Sequence, residues 1–66
     1  MTIQLNGSPC HLASGTTIAD AVARLTANSD GIAVARNGEI VRRHDWSSIA
    51  LNDGDTIEVV TARQGG

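Results

Sequence analysis

The sequence predicts an α+β fold in which two hairpins and one further strand form a mixed sheet packed against a single helix. Three observations support this prediction. The dipeptide Asn-Gly occurs twice, at positions 6–7 and 37–38, each time between strand-like segments. Apolar residues recur at clear helical spacing over 17–27. A last apolar segment, 56–61, follows both hairpins, and one sheet against one helix buries all the apolar faces together.

Composition limits the chain to one small domain without a deep catalytic cleft. The chain has 66 residues, of which 41% are hydrophobic, and this suffices for one globular core. No secretory leader pattern is present, and the longest apolar stretch, 32–35, is far too short to span a membrane. We therefore expect a cytoplasmic protein that is a monomer on its own.

Charge and aromatic content argue against a nucleic-acid partner. The net charge is −2 and Trp46 is the only aromatic residue, so the chain lacks both a basic surface and a set of stacking rings. The five basic residues are all arginines. A chain without lysine cannot form a lysine Schiff base or accept an isopeptide bond on a lysine.

The polar side chains form no catalytic or metal-binding pattern. Cys10 is the only cysteine and cannot form a disulfide within the chain, and with His11 and His44 it lacks the spacing of zinc ligands. Cys10 and His11 are neighbours on a strand and so point to opposite faces. His44 beside Asp45 could be an oriented base, but the sequence indicates no pocket and no activated nucleophile for it, and a solvated loop pair is the alternative. We expect no enzyme activity, no metal and no bound cofactor.

The first hairpin comprises a strand over 2–5, the Asn6-Gly7 turn and a return strand over 8–12. A two-residue turn of this type needs positive φ at both positions and places Ile3 opposite Cys10. One face of the hairpin is then apolar, with Met1, Ile3, Leu5, Cys10 and Leu12.

A single helix is predicted over 17–27. Thr17 and Asp20 have the spacing of a capping box, and the segment 28–31 ends the helix. The apolar residues at helical spacing are Ile18, Ala21, Val22 and Leu25.

The second hairpin comprises strands over 32–36 and 39–42 around Asn37-Gly38. Its register places Arg36 opposite Glu39, as a cross-strand ion pair. The core face carries Ile32, Val34 and Val41, and the opposite face carries Ala33, Ala35, Ile40 and Arg42.

The remaining chain supplies the central strand. We expect an irregular stretch over 44–51 with one 3₁₀ turn and with Trp46 as a core or lid residue, a partner contact being the alternative, then a turn over 52–55. The final strand, 56–61, should lie in the middle of the sheet, beside the first strand and parallel to it, with Ile57 facing inward. This is the β-grasp arrangement of ubiquitin-like proteins.

The chain divides into a domain over 1–61 and a flexible tail over 62–66 that ends in Gly65-Gly66. Such an end is either a frayed terminus or a reactive group. The Gly66 carboxylate is unreactive when ionised, but adenylation by ATP would make it electrophilic because AMP is a good leaving group. Two residues without a Cβ could pass in an extended form through the narrow channel of an adenylating enzyme.

A docking surface is predicted on the outer face of the sheet. Its apolar members are Ala33, Ala35, Ile40, Val60 and Ala62, bordered by Arg42, Glu58 and Arg63. The alternative is that these are scattered exposed residues of the ordinary kind.

Five short segments carry a resemblance over the whole chain. They are Ile3–Gly7, Asn37–Val41, Leu51–Asp55, Ile57–Val60 and Gly65-Gly66. In this order and spacing, the chain resembles the ThiS family, the sulfur carriers of bacterial thiamine biosynthesis. It departs from the family at Arg42, where many members have proline, and in the more polar tail segment 62–64.

The resemblance implies that a ThiF-like enzyme adenylates Gly66 with ATP and magnesium. Sulfur from a cysteine desulfurase relay would then replace AMP to give a thiocarboxylate, and thiazole synthase (ThiG) would accept the sulfur. The chain would be a protein co-substrate and not an enzyme. The residues expected to contact these partners are Ile40, Val60, Ala62, Arg63, Gln64 and Gly65.

Other functions stay open from the sequence alone. A sulfur carrier could serve another pathway, of the molybdopterin type or for cysteine, although the short chain favours the thiazole pathway. A protein modifier attached through Gly66 is a second class, and the absence of lysine disfavours polymeric tagging. A plain β-grasp interaction module is the third.

Overall fold

The computed structural model describes residues 1–28 and 30–61 of the chain. Five strands, one α-helix and one 3₁₀ turn form in the described part. They are β1 (Thr2–Leu5), β2 (Ser8–His11), α1 (Ile18–Leu25), β3 (Ile32–Arg36), β4 (Glu39–Val41), the 3₁₀ turn (Arg43–Asp45) and β5 (Thr56–Thr61).

The strands form one mixed sheet in the order β2-β1-β5-β3-β4. The last strand, β5, is central: it runs parallel to β1 and antiparallel to β3. This confirms the predicted α+β fold and the β-grasp arrangement. The end of β5 therefore leads from the centre of the sheet towards the tail.

Both hairpins have the predicted turns and registers. Asn6 and Asn37 each adopt a φ of 51°, as the first position of these turns requires. Ile3 pairs with Cys10 in the first hairpin, and Arg36 pairs with Glu39 in the second. The return strands are one residue shorter than predicted, since β2 ends at residue 11 and β4 at residue 41.

The helix begins as predicted but ends earlier. The Thr17 side chain accepts from the N–H of Asp20, and the Asp20 carboxylate accepts from the N–H of Thr17, which completes the capping box. The helix ends at Leu25 and not at residue 27, because Thr26 adopts an extended backbone with φ of −154°. There the Thr26 hydroxyl bonds to the backbone of Asn28, a local turn that competes with another helical residue.

One apolar core lies between the sheet and the helix. Its buried residues come from β1, α1, β3, β5 and the connecting segments: Ile3, Leu5, Leu12, Ile18, Ala21, Val22, Val34, Trp46, Leu51 and Ile57. Trp46 is the core residue that the sequence predicted, and its ring N–H donates to the carbonyl of Val41 at 3.0 Å. The 3₁₀ turn begins one residue before the predicted irregular stretch.

The connection after the 3₁₀ turn covers the start of α1. The N–H of Ile18 donates to the carbonyl of Ile49, and the N–H of Ala19 donates to the carbonyl of Trp46, each at 3.0 Å. These are helix-start amides without partners inside the helix. No helix in the described part of the chain is long and apolar enough to cross a membrane.

Candidate functional site

The predicted site consists of the tail and of the outer face of the sheet. The tail residues Ala62, Arg63, Gln64, Gly65 and Gly66 lie outside the described residues. Their predicted roles, and the division into a domain over 1–61 and a flexible tail, stay predictions. The described part of the site is therefore the end of β5, the sheet face beside it and the residues that hold β5 in place.

The outer face presents an apolar patch across three adjacent strands. Directly opposed residues of antiparallel strands point to the same face, and Val60 is opposite Ala33 while Ile40 is opposite Ala35. These four residues are the outer-face patch. Ile40 is 73% exposed and Val60 is 57% exposed, as the sequence predicted, and Glu58 lies opposite Ala35 at the border of the patch.

The exposed residues of this patch do not contribute to the core. The opposite face of the same strands carries Val34 and Ile57, which are fully buried. The core is thus complete without Ile40 and Val60, whose side chains face solvent in the described structure. A contiguous exposed apolar surface of this kind is suited to contact with another protein.

A buried carboxylate fixes the start of β5, and the sequence did not indicate it. Asp55 is 6% exposed. Its carboxylate accepts from the Arg36 Nε at 3.0 Å, from the Asn37 side-chain amide at 3.1 Å and from the N–H of Asn52 at 2.8 Å. These bonds connect the turn before β5 to the turn of the second hairpin.

The prediction of an ion pair between Arg36 and Glu39 is wrong. The register is as predicted, but the guanidinium of Arg36 pairs with Asp55. Arg36 lies on the same face of β3 as the buried Val34, so its side chain is directed to the core side, where Asp55 lies. Two facing residues on a hairpin are visible in a sequence, whereas a partner 19 residues away is not.

The electrostatic balance at Asp55 favours the charged form. Burial raises the pKa of this carboxyl, but the bonds from Asn52 and Asn37 and the charge of Arg36 lower it by more. The net result is a pKa below the ordinary value for aspartate. Asp55 is therefore a structural anion at neutral pH.

Two asparagines bond to β5, one at its first residue and one in its second half. The Asn6 Oδ1 accepts from the N–H of Val59 at 2.7 Å, and the Asn37 Oδ1 accepts from the N–H of Thr56 at 2.9 Å. The N–H of Asn6 also donates to the carbonyl of Ile57 at 2.9 Å, and that of Asn37 to the carbonyl of Thr56 at 2.8 Å. The sequence identified both asparagines as turn residues only. The repeated Asn-Gly dipeptide was the one feature of the sequence that could have suggested that both asparagine side chains also bond to β5.

The other candidate side chains form no site. Cys10 is partly buried and packs against the core, as predicted for a small apolar residue. His44 and Asp45 lie on the surface with their side chains 3.2 Å apart, and the nearby Ser48 hydroxyl donates to the backbone carbonyl of Asp45. Within residues 1–28 and 30–61, no cluster of three or more His, Cys, Asp or Glu side chains could hold a metal ion.

Comparison with known proteins gives consistent similarities over the whole chain. Residues 3–66 match the ThiS family. The chain is 32% identical to the sulfur carrier protein ThiS of Escherichia coli (strain K12), over the full length of both. It is also 33% identical over all 66 residues to a part of the thiazole synthase of Paramagnetospirillum magneticum (strain ATCC 700264 / AMB-1), and it spans 20% of the length of that protein.

Solved structures agree with these sequence comparisons. The crystal structure of a thiamine biosynthesis protein (ThiS) from Geobacter metallireducens superposes with a TM-score of 0.84 and 26% identity, over the full length of both chains. The solution structure of a thiamine biosynthesis protein from the same organism gives a TM-score of 0.77 at 26% identity, over all of this chain and 88% of that one.

Proposed function

Because the chain belongs to the ThiS family, we propose that it is a sulfur carrier protein that donates sulfur for thiazole formation in thiamine biosynthesis. The observation that carries this proposal is the match to a named sulfur carrier over the full length of both chains. The outer-face patch and the central position of β5 support it, because they provide a docking face next to the strand that leads to the tail.

The chemistry would take place at the carboxylate of Gly66. An oxygen of this carboxylate attacks the α-phosphorus of ATP and pyrophosphate leaves, which gives an acyl adenylate. The outer sulfur of a donor persulfide then attacks the acyl carbon and AMP departs, which gives an acyl disulfide. A thiol, as the reductant, attacks the donor sulfur of this disulfide, so that the thiocarboxylate leaves and the donor and the thiol are joined in a new disulfide. The chain itself holds no cofactor in this scheme, and ATP with magnesium belongs to the activating enzyme.

The proposed role is that of a co-substrate and not of an enzyme. The folded body would act as a handle that presents Gly66, and Gly65 would let the tail enter a narrow channel. The outer-face residues Ile40 and Val60 would dock the partners, together with the tail residues 62–64.

A ThiF-like adenylating enzyme is the first partner, and a cysteine desulfurase relay is the sulfur donor. The expected cytoplasmic location stays a prediction.

Thiazole synthase is the proposed acceptor of the sulfur. A thiazole synthase of Paramagnetospirillum magneticum contains a segment that is 33% identical to this chain over all 66 residues. In that protein a carrier-like segment and a synthase share one polypeptide, which supports thiazole synthase as the acceptor for the separate carrier as well.

Intact mass spectrometry tests the proposal. The chain is incubated with a ThiF-type enzyme, ATP, magnesium, a cysteine desulfurase with cysteine, and a thiol reductant. Exchange of one oxygen for sulfur should add about 16 Da, and a variant without Gly65 and Gly66 should keep its mass. The absence of any ATP-dependent shift in the wild-type chain would contradict a carrier function. Covalent transfer of the whole chain to another protein would indicate a protein modifier instead.

A further inference from the structure

The central strand β5 is supported unevenly by its two neighbours. On the side of β3 the pairing reaches the last residue of the strand, Thr61, which pairs with Ile32. On the side of β1 the pairing ends at Ile57, which pairs with Leu5, because β1 then turns away into the first hairpin. The second half of β5 therefore has a neighbouring strand on one side only.

Asn6 replaces the missing strand at one position. In a continued parallel ladder, the backbone carbonyl of residue 6 would accept from the N–H of Val59. The backbone N–H of Asn6 still donates to the carbonyl of Ile57, but the turn begins at Asn6 with its positive φ, and the oxygen that accepts from the Val59 N–H, at 2.7 Å, is that of the Asn6 side chain. The side chain thus extends the ladder one bond beyond the end of β1.

This bond lies in the second half of β5, two residues before the last residue of the strand, Thr61. Val59 still packs against the core, whereas Val60 is largely exposed and Thr61 is exposed. An open groove of about 380 Å³, lined in part by Asn6, Val59 and Thr61, lies beside this end of the strand. Seven residues follow Val59 in the sequence, enough to reach roughly 23 Å when fully extended.

We propose that Asn6 is a positioning residue for the Gly66 carboxylate, because its bond to Val59 fixes the point and the direction in which the chain leaves the folded body. This inference rests on the proposed function, since it concerns delivery of the terminus to an activating enzyme. It assigns Asn6 a role in the reaction beyond that of a turn residue.

The effect should appear in recognition and not in the chemical step. Without the Asn6 side chain, the end of β5 is held to β3 alone and the chain beyond it can leave in more directions. A smaller fraction of docked carriers then has its terminus in the channel, which raises the KM of the enzyme for the carrier. Once the terminus is in the channel, the enzyme holds it, so kcat changes little.

The second asparagine offers a matched control. Asn37 has the same φ and bonds in the same way to the N–H of Thr56, at the start of β5 and far from the tail. Glycine fits both positions because it adopts positive φ freely. Asn37→Gly also removes the donor to Asp55, so it should destabilise the fold at least as much as Asn6→Gly. A general loss of stability would therefore affect the Asn37 variant more.

The test is a steady-state assay of pyrophosphate release by a ThiF-type enzyme, with a cysteine desulfurase, cysteine and a thiol reductant present so that the acyl adenylate turns over. Four carriers are compared: wild type, Asn6→Gly, Asn37→Gly and Asn6→Asp. Loss of one hydrogen bond predicts a KM about three- to tenfold higher for Asn6→Gly, with kcat within about twofold of wild type. Asn37→Gly should keep the wild-type KM. Asn6→Asp should restore it, because aspartate tolerates positive φ and retains an acceptor oxygen.

The outcomes separate this inference from the proposed function. Equal KM values for wild type and Asn6→Gly, or the same increase in Asn37→Gly, would overturn the positioning role while the adenylation of the wild type still supports a carrier. A wild-type chain that releases no pyrophosphate would overturn both. Amide hydrogen exchange at Val59 in the isolated protein gives a second readout, and unchanged protection in Asn6→Gly would also contradict the inference.

Discussion

Asp55 is a buried charged side chain that connects three separate parts of the described chain. Its donors are Arg36 at the end of β3, Asn37 in the following turn and the backbone of Asn52 before β5. The first residue of the strand that leads to the tail follows directly. The position of β5 therefore depends on one carboxylate as well as on the apolar core.

Removal of this carboxylate should destabilise the fold clearly. We expect Asp55→Ala to lower the free energy of unfolding by about 2–3 kcal/mol, because it leaves three donors without their acceptor, one of them the partly buried Arg36 cation. Urea denaturation measures this change. Asp30→Ala is the control, since Asp30 is a highly exposed carboxylate in a surface ion pair, and it should cost less than about 0.5 kcal/mol. Equal losses in the two variants would contradict the account.

The lowered pKa of Asp55 also predicts a pH dependence. A carboxyl whose folded-state pKa lies below its unfolded value stabilises the fold above the unfolded pKa, near 3.8. That contribution is lost as the pH falls through the lower, folded-state pKa. The stability difference between wild type and Asp55→Asn should therefore be constant above about pH 5 and shrink below about pH 4. A difference that does not shrink in acid would show that the charge of Asp55 is not what stabilises the fold.

Short-range pairing explains why the elements could be predicted from the sequence. The registers of both hairpins follow from turns in which neighbouring residues decide the geometry, and the start of α1 follows from Thr17 and Asp20. The helix ends at Leu25 and not at the predicted residue 27. The reason is that the Thr26 hydroxyl bonds to the backbone of Asn28, which the spacing of apolar residues does not reveal. The Asp55 cluster and the Asn6 bond to Val59 join residues from 3 to 53 positions apart, most of them beyond the reach of local patterns.

The outer-face patch, which lies on β3, β4 and β5, is the surface through which the proposed carrier would bind its partners. Ile40→Asp and Val60→Asp should each weaken binding to a ThiF-type enzyme by about tenfold or more, because a charge would replace apolar surface at the centre of the contact. Both residues are exposed, so the thermal unfolding midpoint should change little. Isothermal titration calorimetry measures the affinity.

A control for the patch lies in the loop between β2 and α1. Ala13 is an exposed apolar residue of this loop, and it is not part of the sheet. Ala13→Asp also places a carboxylate on an exposed apolar position and should leave the affinity within about threefold of wild type. If all three variants bind alike, the outer-face patch is not the docking surface.

The whole molecule is organised around its central strand. β5 is the last strand in the chain, yet it lies in the middle of the sheet, where β1, β3 and the side chains of Asn6 and Asn37 hold it. A central strand that leads directly to the tail suits a body that presents its last residue to other proteins. On this account the folded domain binds and orients, and the chemistry takes place at Gly66.

Tandem mass spectrometry of the sulfur-loaded protein tests this account most directly, because it locates the added sulfur. The account predicts that the increase of about 16 Da is found only in fragments that contain Gly66. An increase of about 32 Da on Cys10, which would correspond to a persulfide, would contradict it by making the thiol the carrier group.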